Sequence, residues 1–306
     1  MAHTRTTRTT ATGREVGYAP PGERLLLDLH RPLLRAGPRL TAAWVLTALL
    51  LGLMVVQSLL GLVVDGLYPE QTWAVAALRG NDLVTLVVAV PLLAGATLSS
   101  WRRPSTASVV VWLAMLFYGV YNYAYYAFGA AFSDVFLLHV AALAASAYAL
   151  LMLGTSIDAE VVALGVRAGP WARVVAGFTT VVGLALVGAW GTMSVRYAVT
   201  GALPEDVMPP EAVHLVYALD LAVLAPAFLV AGVLLWRRVP WGAVLAAAVN
   251  VSGAVYLAVL WAVGGFQADA GIAGRTWASP MAIGSTLLCL AAALVLLVPG
   301  RRPRME

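Results

Sequence analysis

From residue 41 onward the chain alternates long apolar runs with short polar connections. The runs fall near 41–63, 82–100, 106–130, 135–155, 174–196, 214–236, 240–264 and 279–298. Each is long enough to cross about 30 Å of hydrocarbon at about 1.5 Å per residue, so the pattern predicts eight transmembrane helices. The connections run to about twenty residues at most, too short for a soluble domain to carry an activity. The expectation is an all-α polytopic membrane protein whose function sits among its helices or on its short outer loops.

Composition agrees with the pattern. At 61% hydrophobic and 11% charged residues, with mean hydropathy +0.85, the chain has too little charge to coat a soluble globule of 306 residues. The net charge of +4 comes from arginines clustered at the ends of apolar runs, which is a topology signal and not a nucleic-acid stripe. No lysine is present, so Schiff-base chemistry with retinal or pyridoxal phosphate is excluded. The single cysteine, Cys289, supports neither an intrachain disulfide nor a multi-cysteine metal site and reads as a packing residue. No HExxH, GxSxG, CxxC or phosphate-binding glycine loop occurs, and no cofactor or metal is predicted.

Placing both termini in the cytoplasm leaves only Arg79, Arg196 and Arg275 of the nineteen basic residues outside. That bias predicts a bacterial cytoplasmic-membrane protein with both ends inside. Residues 1–30, Arg- and Thr-rich, read as a disordered cytoplasmic tail, and 301–306 as a short second one. Within the first, "ERLLLDLHRPLLR" is mildly amphipathic but is interrupted by Pro32.

The eight spans divide into two similar sets. "RAGP" stands at Arg35–Pro38 and again at Arg167–Pro170, each time ahead of the first span of a four-span set. Further on, a constant spacing of 135 pairs Gly66, Pro69 and Glu70 with Gly201, Pro204 and Glu205, and Pro91 with Pro226. The same spacing pairs Trp101-Arg102-Arg103 with Trp236-Arg237-Arg238, Tyr121 with Tyr256, and Gly129 with Gly264. The reading is two parallel four-helix repeats, 31–156 and 165–300, joined by a linker at 157–164. An even number of spans per repeat makes both enter the membrane the same way, with any shared cavity between them. Pro91 and Pro226 fall inside spans two and six, where each is expected to kink its helix and free a carbonyl, that of Val87 or Ala222.

Polar residues gather toward the outer face. In "FYGVYNYAYYAFGAAFSD", Tyr118, Tyr121, Asn122, Tyr125, Tyr126 and Gly129 share an arc of roughly 140° at about 100° per residue. Tyr123, Tyr125 and Tyr126 read as an aromatic anchor at the headgroups, while Tyr118, Tyr121 and Asn122 read as a wall of an internal polar cavity. Span six begins "HLVYALDLAVLAP", with His214, Tyr217 and Asp220 on an arc of about 120°. Asp220 reads as the one acid well inside a span, and such an acid marks a functional site because its desolvation must be compensated. His139 and Asn250 lie in spans four and seven and add hydrogen-bonding capacity there. Asp82, Asp134 and Ser279-Pro280 stand at expected helix starts and read as caps.

The segments "NDLVTLVVAVPLL", "YAFGAAFSDVFLLHVA" and "LDLAVLAPAFLVAGVLLWRRVPWG" resemble those of a group of bacterial eight-span membrane proteins with no assigned activity. The likeness covers spans two, three, four and six and implies architecture alone. The organisation is also similar to that of haem A synthase, with eight spans in two halves. That family carries haem-ligating histidines on several helices, whereas here only His139 and His214 lie in or at a span, in different halves.

Three functions follow as expectations. The first is binding or transport of a small molecule or lipid in an outward-facing polar cavity between the repeats. Tyr118, Tyr121, Asn122, Tyr125, His139, His214, Tyr217, Asp220 and Asn250 would line it. The second is a membrane enzyme, haem- or lipid-modifying, using His139, His214 and Asp220 near the outer face. The third is a non-catalytic scaffold or sensor subunit. The bilayer is the one partner expected outright; no nucleic acid is expected, and the oligomeric state is open.

Overall fold

A computed structural model describes residues 31–166, 169–202 and 210–298. Among these residues eight helices are long and apolar enough to cross a bilayer: α1 (Pro38–Val63), α2 (Thr72–Arg102), α3 (Thr106–Gly129), α4 (Phe136–Ser156), α5 (Pro170–Thr200), α6 (Pro210–Trp236), α7 (Pro240–Asp269) and α8 (Pro280–Leu297). The chain is an all-α integral membrane protein. The expected tails, 1–30 and 301–306, fall outside the described residues.

Local chemistry explains the helix ends. α1, α5, α7 and α8 begin with proline at the first helical position, where the missing N–H costs nothing. Gly37 and Gly169 of the two RAGP segments precede Pro38 and Pro170 with φ of 152° and 105°, a region that favours glycine. α3 opens with a reciprocal Ser105–Ser108 capping box. Ser279 caps α8 as expected, accepting from the Ala282 N–H at 3.4 Å. Asp134 does not cap α4, whose N-cap is Val135. The expected linker folds as well: Leu34 and Ile157 form an antiparallel bridge, and a short helix, Ala159–Leu164, follows with Asp158 as its cap.

Packing within each half follows one plan. In the first, α1 touches α2 and α4, and α3 touches α2 and α4; in the second, α5 touches α6 and α8, and α7 touches α6 and α8. The halves meet through α3 and α7, with α2 against α7 and α3 against α6 at the flanks. These two central helices are the most buried of the eight. Gly80 permits the close approach of α2 to α7, since a Cβ there would lie 2.7 Å from the Val263 backbone nitrogen. One difference separates the halves: α5 lies mainly on α6 and touches α8 much less than α1 touches α4.

The prolines act through a widened turn. α2 carries a π-helical turn at Thr85–Ala89 and α6 another at Asp220–Leu224, each just ahead of Pro91 or Pro226. The Val90 N–H reaches the Thr85 carbonyl, and the Ala225 N–H reaches the Asp220 carbonyl. An i→i+5 turn carries the preceding carbonyls away from the pyrrolidine ring, which relieves the clash proline causes in a helix. The π turns begin at two polar residues, Thr85 and Asp220.

Candidate functional site

Two buried carboxylates organise the polar interior, one in each half. Asp220, 2% exposed, stands at the start of the α6 π turn. Its Oδ1 accepts from the Tyr121 hydroxyl of α3 at 2.6 Å, and its Oδ2 accepts from the Trp190 indole N–H of α5 at 2.7 Å. The Trp190 ring stacks on Tyr217 at 4.3 Å, and Tyr121 meets Tyr256 of α7 edge to face at 4.9 Å with hydroxyls 3.2 Å apart. Asp220 is thus bonded by two aromatic side chains, each packed on a second, and the group draws on four helices, α3, α5, α6 and α7.

Asp82 is the second centre, and its placement corrects the expectation of a helix cap. α2 begins at Thr72, so Asp82 lies ten residues into the helix and is fully buried. The apolar run starts at residue 82, but the alanine-rich segment before it is helical too, and the helix extends outward past the run. Asp82 Oδ1 accepts from Gln57 Nε2 of α1 at 2.6 Å and from the Tyr126 hydroxyl of α3 at 2.7 Å. Oδ2 accepts from the Tyr68 hydroxyl at 2.7 Å. Tyr68 reaches in from the loop between α1 and α2. Burial first, and then the Asp82 carboxylate, hold its phenol well above the ordinary tyrosine pKa, so it remains a donor.

Two tyrosines read as an interfacial anchor belong to this centre. Tyr123 and Tyr126 are buried, Tyr123 donating to Gln57 Oε1 at 3.3 Å. An aromatic belt needs a lipid-facing helix, and α3 is enclosed on nearly all sides. Tyr125 is half-buried, its ring edge-on to Tyr126.

The remaining expected residues divide between the centres or lie apart from both. Tyr118 belongs with the first half, its hydroxyl 2.8 Å from Thr85 Oγ1 and 3.4 Å from Asn81 Oδ1. His139 is buried with its ring 4.8 Å from that of Tyr126 and its Nε2 unpartnered. Asn122 is buried with Nδ2 unpartnered. Asn250 cross-links α7 to α5, donating to Thr179 Oγ1 at 2.9 Å. His214 is exposed at the end of α6. His139, His214 and Asp220 are therefore not joined in one acid–base group. Among the described residues no three His, Cys, Asp or Glu side chains converge as a metal ion requires.

Sequence reasoning missed Gln57, Tyr68, Asp82, Trp190 and the role of Tyr256. A signal existed for the last, which is the 135-residue counterpart of Tyr121. For Trp190 and Gln57, single polar-edged residues in apolar helices, only tertiary packing shows what they reach. No protein-family model, curated protein or solved structure matches the chain.

Proposed function

We propose that the protein is a carrier or receptor of the bacterial cytoplasmic membrane that binds a small molecule through a cationic group at Asp220, between two parallel four-helix repeats. The observation that carries this reading is the Asp220 carboxylate held by Tyr121 and Trp190, whose rings pack in turn against Tyr256 and Tyr217. Aromatic faces and a carboxylate together attract an amine or quaternary ammonium, and an acid inside a membrane span needs such compensation. Trp190 and Tyr217 are only half-buried, which makes their side of the site the natural approach.

Several features support the repeat. The π turns begin 135 residues apart, ahead of prolines spaced identically. Tyr121 and Tyr256, also 135 apart, touch each other, as residues beside a pseudo-twofold axis do. The acids are offset by one turn on matching helices: Asp82 and Thr85 correspond to Tyr217 and Asp220. The arginine bias supports cytoplasmic termini, which turns the loop bearing Tyr68 outward.

Purified full-length protein should be stabilised against thermal unfolding by tetramethylammonium or choline, used as cationic probes. A probe at a hundred times its Kd adds about 2.7 kcal/mol. Asp220→Asn should remove that stabilisation while leaving the protein folded. Equal stabilisation of both proteins, or none by either probe, defeats the reading.

One observation favours the scaffold reading instead: Tyr118, Tyr121 and Asn250 are closely packed and bonded within the bundle. On that reading Asp220→Asn changes stability alone.

A further inference from the structure

We propose that Asp82 is a proton-binding site, separate from the Asp220 site, that exchanges with the aqueous face on the Tyr68 side and is covered by Tyr68. The inference does not depend on what Asp220 binds.

The geometry provides for both charge states of one carboxyl group. As a carboxylate, Asp82 takes three hydrogen bonds from neutral donors, Gln57, Tyr68 and Tyr126. Among the described residues no cation pairs with it. The nearest guanidinium, Arg79, lies one turn toward the loop and holds Asp65 at 2.7 Å.

When a proton adds to an Asp82 oxygen, the centre goes from one negative charge to none, and that oxygen needs an acceptor in place of a donor. The hydroxyls can supply this by rotation. Tyr126 has a second acceptor in reach, the Leu78 carbonyl at 3.2 Å, so it can turn its proton there and free Oδ1. Tyr68 oxygen already accepts from Gln57 Nε2 at 3.0 Å and has capacity to accept again. The Tyr126 change requires no heavy atom to move.

A second observation points the same way. His139, 1% exposed, packs its ring on Tyr126 and leaves Nε2 without a partner. Buried polar atoms usually find a partner, so this nitrogen is spare hydrogen-bonding capacity on the ring packed against Tyr126, whose hydroxyl switches partners. Among the described residues, the titratable groups around Asp82 are Tyr68 and Asp65 from the loop, Arg79 on its own helix, Tyr118, Tyr123 and Tyr126 from α3, and His139 from α4.

Access runs past Tyr68, the one donor to Asp82 that comes from outside a spanning helix. It is 5% exposed and seated against Gly61, whose missing Cβ leaves the space that Tyr68 and Asp82 share.

Dicyclohexylcarbodiimide, which reacts with protonated carboxyl groups in apolar surroundings, tests this on the unmodified full chain in phosphatidylcholine vesicles. Adducts are located by mass spectrometry of peptides. Asp82 should be labelled, with a rate that falls about tenfold per pH unit once the acid is mostly ionised. Tyr68→Ala should speed labelling several-fold by opening the path. Tyr68→Phe, which keeps the cover but removes a donor to the carboxylate, should extend labelling to higher pH. Asp220→Asn should leave the Asp82 profile unchanged, so the Asp220 reading can fail while this one stands. No adduct on a recovered Asp82 peptide, or labelling that ignores pH, overturns the proposal.

Discussion

Gly61→Ala should be among the most damaging single-methyl additions in the protein. A Cβ at residue 61 would overlap Asp82 Oδ2 and the Tyr68 hydroxyl oxygen and lie 2.8 Å from Asp82 Cγ. These atoms cannot yield cheaply, because Asp82 is fixed by Gln57 and Tyr126 and Tyr68 is pinned between Asp82 and Gln57. Overpacking of this kind costs about 1–3 kcal/mol, and losing a hydrogen bond to a charged group costs about 1.5–3, so the expected loss is about 2.5–6 kcal/mol. Gly52→Ala provides the contrast, because a Cβ there meets nothing within 4 Å. In a helix interior it should stabilise by about 0.5–1 kcal/mol. The two variants should therefore move thermal unfolding of the detergent-purified chain in opposite directions. Asp82→Ala removes the two Asp82 atoms in the way and leaves the Tyr68 hydroxyl free to shift, so Gly61→Ala should cost about 1–3 kcal/mol less in that background. If Gly61→Ala unfolds with Gly52→Ala, or costs the same with and without the Asp82 carboxylate, the packing argument is refuted.

Two further predictions use simpler readouts. In a protein with Cys289 replaced by serine, single cysteines at positions 70 and 270 should react with an impermeant thiol reagent added outside intact cells; labelling confined to opened cells would reverse the orientation. The Tyr68 phenol is raised in the folded state, so whatever stability it contributes is fully present below about pH 10, the unfolded value, and is lost as pH rises beyond it. The advantage of wild type over Tyr68→Phe in thermal unfolding should shrink as pH rises above about pH 10.

How much was legible before folding depended on whether a property is local. Runs of apolar residues report spans because crossing hydrocarbon is a requirement on each helix alone. The Pro91 and Pro226 spacing, the RAGP segments and the Tyr121–Tyr256 pairing were likewise readable, and the structure shows a shared π turn ahead of each proline and a direct contact between the two tyrosines. Asp220 was recognised because it sits alone in an apolar run. Asp82 was not, because the boundary of a hydrophobic run is not the boundary of a helix, and ten further residues of α2 carried it inside.

The sequence by itself determined that the chain is all-helical, crosses a membrane eight times and places an acid in its sixth span. Only the tertiary structure decided which helix is central, and so whether the tyrosines of α3 face lipid or protein. Their spacing along one helix is the same in either case; what differs is whether α1, α4 and α7 cover the other faces. It also decided that Gln57, Tyr68 and Trp190 come within hydrogen-bonding reach of the two carboxylates. Those partners lie as much as 30 residues from their acid along the chain, and no helical periodicity links them. A buried acid in a membrane can be found from its own segment, but the groups that make it tolerable come from other helices and are set by packing.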